Sequence, residues 1–324
     1  MKKLTKIFLI ILALIVLVIL ALVGYVAWFL PNIPVRDVKA EATQQNIERG
    51  RYLANHVAVC IDCHSKRDWN KFTGPIVPGT EGIGGEKFSK DLGFPGTYYA
   101  PNISPYNLGK WSDGEIFRAI TSGVNKESKA LFPIMPYLAY GTLDEEDILS
   151  IIAYIRTLPS VTSENPASES DFPMSLIINT IPQKPAFTKR PEKGVTADYG
   201  KYIATAASCI ECHTPFVKGK LVAEEAFSGG REFMVPGGLL VSANITPDKT
   251  TGIGTWTKEA FIARFKAYDL ATYTPQEVIK GDLLTLMPWT MFAGMDTTDL
   301  QAVYAYLQTV KPVQKQITKF TPAK

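Results

Sequence analysis

Residues Ile7–Leu30 run for 24 positions without a charge and without a polar stripe. A helix that long spans about 36 Å at ~1.5 Å per residue, enough to cross a ~30 Å hydrocarbon core with some tilt. Tyr25 and Trp28 suit an interfacial aromatic belt, and Pro31 ends the helix. A cleavable signal peptide has a shorter apolar run that closes on small residues. This run closes on Tyr25, Trp28, Phe29 and Leu30 instead. The pattern therefore predicts an uncleaved anchor over residues 1–31. Lys2, Lys3 and Lys6 belong on the inside by the positive-inside rule. Everything after Pro31 is then expected on the outer face, which in a Gram-negative inner membrane is the periplasm.

Beyond the anchor the hydrophobic period is helical. Ile148, Ile151, Ile152 and Ile155 fall at i, i+3, i+4 and i+7, and Leu300, Val303, Tyr304 and Leu307 fall at the same spacing. Thr142 with Glu145 reads as a capping box for the first stripe and Asp296 as the N-cap of the second. Pro159 and Pro312 follow the two helices. Further helices are expected leading into Cys60 and Cys209, and over about 112–122 and 257–267. Strand signals are sparse, so the expected class is mostly α.

These stripes belong to an internal repeat. Gly50-Arg51-Tyr52 corresponds to Gly200-Lys201-Tyr202, and Asn102-Ile103-Ser104-Pro105 to Asn244-Ile245-Thr246-Pro247. Trp111 corresponds to Trp256, the Met135-Pro136-Tyr137 segment to Met287-Pro288-Trp289, and Tyr154-Ile155-Arg156-Thr157 to Tyr306-Leu307-Gln308-Thr309. Cys60 precedes Asn102 by 42 positions and Cys209 precedes Asn244 by 35, so the first copy is seven residues longer there. Asn102 precedes Met135 by 33 and Asn244 precedes Met287 by 43, so the second copy is ten residues longer there. From each Met to the end of its copy the offset stays at 152, the mark of a rigid unit. The expected layout is an anchor over 1–31, a first domain over 42–160, a linker over 161–194 and a second domain over 195–315. The linker is rich in Pro, Ser, Glu and Lys, with an apolar centre at Phe172–Ile181. It reads as a strap packed over both domains, or as a partner or membrane contact.

A length of 324 residues suits two domains. The formal net charge is +3, and Lys2, Lys3 and Lys6 account for all of it because residues 1–30 hold no acid. The remainder is neutral, with no basic field to attract nucleic acid. The chain is long enough to build a core without a disulfide framework, so its four cysteines call for another account.

Their spacing supplies one. Cys60-Ile61-Asp62-Cys63-His64 and Cys209-Ile210-Glu211-Cys212-His213 are both C-x-x-C-H, the spacing of c-type haem attachment. Two thiols three residues apart on one turn can each form a thioether with a haem vinyl, and the next imidazole then falls beneath the iron. A Cys₄ zinc site would leave both histidines unexplained. A thioredoxin-like pair would need strands alternating with helices. The expected cofactors are two covalently bound haem c groups, attached at Cys60, Cys63, Cys209 and Cys212 with His64 and His213 on the irons.

His56 is the one remaining histidine, so both irons cannot be bis-His. Met135 and Met287 occupy matching places, each before a proline and an aromatic, and are the expected sixth ligands. A thioether is a soft neutral ligand that favours reduced iron. Core filler is the ordinary role of a Met. Met291 and Met295 are rivals in the second copy, while Met174 and Met234 have no counterpart. His56 reads as an exposed or satisfied histidine. Pro215 is a candidate for shaping the loop that supplies an acceptor to His213, with Ser65-Lys66-Arg67 in its place in the first copy. Trp111, Trp256 and the Asn-Ile segments are candidates for lining the haem crevices.

With these residues the chain resembles tandem diheme class I-type cytochromes c over roughly 45–315. Ser242-Ala243-Asn244-Ile245-Thr246-Pro247 and Gly252-Ile253-Gly254-Thr255-Trp256 are similar to the cytochrome subunits of periplasmic alcohol and gluconate dehydrogenases. Those subunits typically carry three haems, whereas two motifs are present here. The resemblance implies electron transfer with no catalytic residues. The expected partners are a redox donor and acceptor: a dehydrogenase, a quinol-oxidising complex or a terminal oxidase. A diheme enzyme, such as a peroxidase or thiosulfate dehydrogenase, is the alternative.

Overall fold

The computed structural model describes residues 2–235, 237–279 and 281–323. Helix α1 (Lys2–Phe29) comes first, and within it Lys3–Phe29 is long and apolar enough to cross a membrane. Its apolar side chains stand out from the rest of the protein, with Leu17 65% and Trp28 83% exposed. The first copy then runs α2 (Gln44–Tyr52, extended by a π-turn to Val57), α3 (Cys60–Cys63), β1 (Lys87–Phe88), β2 (Gly96–Tyr99), α4 (Pro105–Leu108), α5 (Asp113–Ser122), α6 (Tyr137–Tyr140) and α7 (Glu145–Ile155). The linker contributes β3 (Glu169–Ser170) and α8 (Met174–Ile177). The second copy runs α9 (Ala197–Ala206), α10 (Cys209–Cys212), β4 (Phe216–Val217), β5 (Lys220–Leu221), β6 (Glu232–Val235), β7 (Gly238–Val241), α11 (Lys258–Lys266), α12 (Trp289–Phe292) and α13 (Thr297–Leu307), and β8 (Phe320–Pro322) closes the chain. The protein is mostly helical. Among the described residues its strands are short antiparallel ones in three small sheets, β1-β2-β3, β4-β5 and β6-β7-β8.

In each copy the entry helix crosses the exit helix at a glycine. A Cβ on Gly50 of α2 would lie 1.8 Å from the Ser150 carbonyl oxygen of α7. A Cβ on Gly200 of α9 would lie 1.8 Å from the Ala302 carbonyl oxygen of α13. Glycine here permits backbone-to-backbone contact that any side chain would prevent. The isoleucine stripe predicted for α7 is fully buried, as are Leu300, Val303 and Leu307 of α13, and both stripes join one continuous core.

The copies meet through reciprocal bonds, as an isologous interface requires. Tyr52 of the first donates to Asp299 of the second at 2.6 Å, and Tyr202 of the second donates to Asp147 of the first at 2.6 Å. Each phenol oxygen also accepts a backbone N–H across the interface, from Asp296 at 2.9 Å and Asp144 at 3.1 Å. Burial raises both phenols' pKa values, and the facing carboxylates raise them further, so they stay donors.

The first cap assignment needs correction, and the second holds in position only. The cap of α7 is Asp144, whose carboxylate accepts from Glu146 N at 3.0 Å. Thr142 lies inside the preceding turn, where its hydroxyl donates to the Ala139 carbonyl. Asp296 is at the N-cap of α13, but its side chain pairs with Lys193 instead of capping. The predicted helices near 112–122 and 257–267 start from Ser112, in a full capping box with Glu115, and from Thr257.

The linker follows the first copy. Its β3 pairs with β2, Asn165 donates to the Ile83 carbonyl, and Ala186 and Thr188 donate to the carbonyls of Gly141 and Thr142. Its apolar centre forms α8, lies against α1 and leaves Phe172 80% exposed. It reaches the second copy through Lys193.

Candidate cofactor-attachment site

The two C-x-x-C-H motifs have the same local structure. Each cysteine pair sits on a single helical turn, started by a residue in the left-handed region: Val59 (φ 46°) before α3 and Ser208 (φ 53°) before α10. That conformation is costly for a β-branched valine. It breaks the entry helix and re-aims the chain, so both thiols of each pair lie on one face of the next turn. The four cysteines are unpaired.

The histidines are clamped identically. His64 Nδ1 lies 2.8 Å from the Pro101 carbonyl oxygen, and His213 Nδ1 lies 2.8 Å from that of Ala243. A carbonyl can only accept, so Nδ1 carries the proton and Nε2 keeps its lone pair. Burial lowers both imidazole pKa values, which favours this neutral form. The histidine carbonyls accept from Gly84 and Gly229, each at 2.8 Å. Both glycines are left-handed, and a Cβ at either would meet a carbonyl oxygen at 2.4 Å.

The acceptor loops are built by the repeated Asn-Ile-Ser/Thr-Pro segments. Asn102 donates to the Val161 carbonyl at 2.9 Å and accepts from Ser104 N at 2.8 Å. Asn244 donates to the Val313 carbonyl at 2.7 Å and accepts from Thr246 N at 2.9 Å. The residue just before each asparagine supplies the histidine's acceptor. The reading that Pro215 shapes this contact is therefore corrected, and the first copy is as well provided as the second. The repeat of the Asn-Ile segment was the available signal, because a motif retained while the lengths around it drift has a local task.

Met135 and Met287, like Cys60 and Cys209, pack half-buried against the common core. Each methionine carbonyl accepts from the N–H two residues on, Tyr137 at 2.7 Å and Trp289 at 2.8 Å, in a tight turn into α6 or α12. The rivals Met291 and Met295 are buried at 8% and 2% exposure as core filler, and Met234 is 50% exposed. Met174 lies in the linker helix. His56 is satisfied: its Nδ1 lies 2.9 Å from the Met291 carbonyl oxygen, across the interface between copies. Trp111 packs partly buried on the core, and Trp256 is 38% exposed.

The donor set discriminates among the chemistries. Among the described residues no group of three or more His, Cys, Asp or Glu is placed to hold a metal ion, so the cysteine pairs do not converge on a Cys₄ zinc site. Burial pushes the thiols of Cys60, Cys63 and Cys209 up to about 12, whereas a thioredoxin-type nucleophile needs a depressed value. What remains fits a c-type haem: two thiols on one turn, an imidazole with Nε2 free and its other nitrogen fixed, and a thioether in a turn of its own.

Residues 197–311 match the family profile described as Cytochrome c, and such a domain implies covalently bound haem c. The chain is 24% identical over 298 residues to the alcohol dehydrogenase (quinone) cytochrome c subunit of Gluconacetobacter polyoxogenes, covering 87% of this chain and 59% of that one. It is 28% identical over 296 residues to the fructose dehydrogenase cytochrome subunit of Gluconobacter japonicus, covering 86% and 55%. It is 24% identical over 267 residues to a diheme cytochrome c-type protein of Cereibacter sphaeroides, covering 79% and 83%. The chain thus resembles cytochrome c subunits of dehydrogenases, and it spans less than two thirds of the length of the first two.

Proposed function

We propose that this chain is a membrane-anchored diheme c-type cytochrome that passes electrons from a periplasmic dehydrogenase or quinol-oxidising partner to a downstream acceptor. The observation that carries the reading is the duplicated site: two C-x-x-C-H turns, each with its histidine Nδ1 held 2.8 Å from the carbonyl before a repeated asparagine. On this reading each of two tandem cytochrome c domains, over 42–160 and 195–315, holds one haem c. Cys60 and Cys63 tether the first and Cys209 and Cys212 the second. His64 with Met135 would hold the first haem's iron, and His213 with Met287 the second's. The haem iron supplies one-electron redox chemistry.

The protein's own part is positioning. The carbonyls of Pro101 and Ala243 hold each imidazole in one tautomer and one plane, which keeps Nε2 in the ligating role. The methionines supply a neutral soft donor, which raises the potential. An imidazole and a thioether provided for each haem would leave the iron without a place for substrate, which favours relay over catalysis. The relatives' printed names point to a dehydrogenase as donor. Anchoring through residues 1–31 is supported by the apolar helix and by a contact that a removed leader would not keep: Asn179 of the linker donates to the Val26 carbonyl at 3.3 Å.

The test is the resting optical and paramagnetic spectrum of the detergent-purified full chain, read alongside haem staining after denaturing electrophoresis. Covalent haem with only low-spin signals is expected. A high-spin signal accompanied by peroxide turnover would instead make the protein a diheme enzyme.

A further inference from the structure

The two places where the repeat fails in length lie against each other. The first copy's additional residues fall in the loop after His64, and the second copy's fall before Met287. In the structure Phe72 N donates to the Gln276 carbonyl and Val278 N to the Asn70 carbonyl, each at 2.8 Å, with Lys71 and Glu277 paired between them. The Phe72 ring stacks on Tyr268, and Tyr268 stacks on Trp289, next to the Met287-Pro288 turn. An insertion in one copy thus has its partner in the insertion of the other.

At the end of this contact stands Thr73. It is fully buried and left-handed at φ 66°, a conformation disfavoured for a β-branched residue. Its hydroxyl donates to the Met287 carbonyl oxygen at 2.6 Å and accepts from Trp289 N at 3.2 Å. Its own carbonyl and that of Gly74 accept from Arg67, each at 2.7 Å. Arg67 lies over the Trp69 ring and pairs at 2.9 Å with Asp62, between the two cysteines of the first motif. Both charges of this pair are buried, at 7% and 4% exposure, so removing either would leave the other uncompensated. In the first copy, among the described residues, the Met135 carbonyl accepts from Tyr137 alone.

We propose that Thr73 is a positioning residue for the methionine ligand of the second haem, supplied by the first domain. The path Asp62, Arg67, Thr73, Met287 ties the first attachment turn to the second site's methionine, and among the described residues no comparable path runs the other way. The inference rests on Met287 being that ligand.

The test is imidazole titration of the full two-haem protein, read through loss of the sulfur-to-iron charge-transfer band. Thr73→Val keeps shape and volume but removes the hydroxyl. One net hydrogen bond lost on the ligand side corresponds to about tenfold tighter imidazole binding. That change is expected at one iron only, with the other unmoved, and Thr73→Ser should restore wild-type behaviour. Should Thr73→Val fail to fold, Arg67→Lys, which loosens both carbonyl contacts, carries the same expectation. Met287→Ala separates the two readings. If it leaves both charge-transfer bands intact, the ligand assignment falls. If it removes one band while Thr73→Val and Arg67→Lys leave imidazole affinity unchanged at both irons, the positioning role is overturned.

Discussion

Asp147 and Asp299 occupy the same position in their copies, and both are buried, yet they are held by different chemistry. Asp147 accepts from Arg49 at 2.9 and 2.8 Å, from Arg190 and from Tyr202. Asp299 accepts from Tyr52 at 2.6 Å and Tyr199 at 3.0 Å, with Lys193 at 3.7 Å. Arg49 and Tyr199 are repeat equivalents, each just before the crossing glycine. One copy therefore neutralises its carboxylate with guanidinium and the other satisfies it largely with phenols. The backbone at the crossing is retained and the electrostatics are not. Shape at a backbone contact admits one solution, whereas a buried acceptor admits several donors.

The glycine crossing is common to both copies, and its loss should have the largest effect. Gly50→Ala and Gly200→Ala each place a Cβ 1.8 Å from a carbonyl oxygen of the partner helix. Each should cost about 3 kcal/mol or more and leave little folded protein, as measured by denaturant unfolding. A tolerated alanine at either position would show that the crossings are not equivalent.

The carboxylates should then differ. Asp147→Asn leaves two guanidinium groups facing a neutral amide, and a loss of about 2–3 kcal/mol is expected, moderated because Arg49 and Arg190 are partly exposed. Asp299→Asn keeps an acceptor for one phenol and turns an amide N–H toward the other, and should cost about 1 kcal/mol for the hydrogen bond lost. Equal losses would mean that the donor chemistry is irrelevant.

Acid sharpens the same contrast. Burial pushes the Asp147 carboxyl up, but its bonds to Arg49 and Tyr202 and the charge of Arg190 outweigh this and leave it below the usual carboxylate range. Its contribution is then fully present above the unfolded value of about 3.9 and fades as pH falls through the lower folded value. Unfolding of wild type and Asp147→Asn followed from about pH 7 downward should show a constant gap that closes only below about pH 4. A gap that closes near neutrality would assign the effect to another group.

The smallest expected effect is Tyr52→Phe or Tyr202→Phe, about 1 kcal/mol each for a lost interface hydrogen bond. Their similarity would support the reciprocity of the interface, and a silent change at one would break it.

The helices, the repeat and the attachment turns were legible because each follows from residues close in sequence. The isoleucine stripe of α7 and the C-x-x-C-H turns needed no tertiary information. The histidine acceptors were missed because Pro101 lies 37 positions from His64, and a backbone carbonyl leaves no side-chain signature. The α7 cap was misplaced because Thr142, an adequate cap by type, was already engaged with Ala139. The loop from Arg67 to Thr73 looked like tolerated length variation. Only three dimensions show that it meets the other copy's insertion.

A count of covalent haems by intact-mass spectrometry of the full chain decides whether both attachment turns are used. Two haems are predicted for wild type, and one for each of the double variants Cys60→Ala/Cys63→Ala and Cys209→Ala/Cys212→Ala. A single haem in wild type, or two retained in either variant, would contradict the two-haem reading.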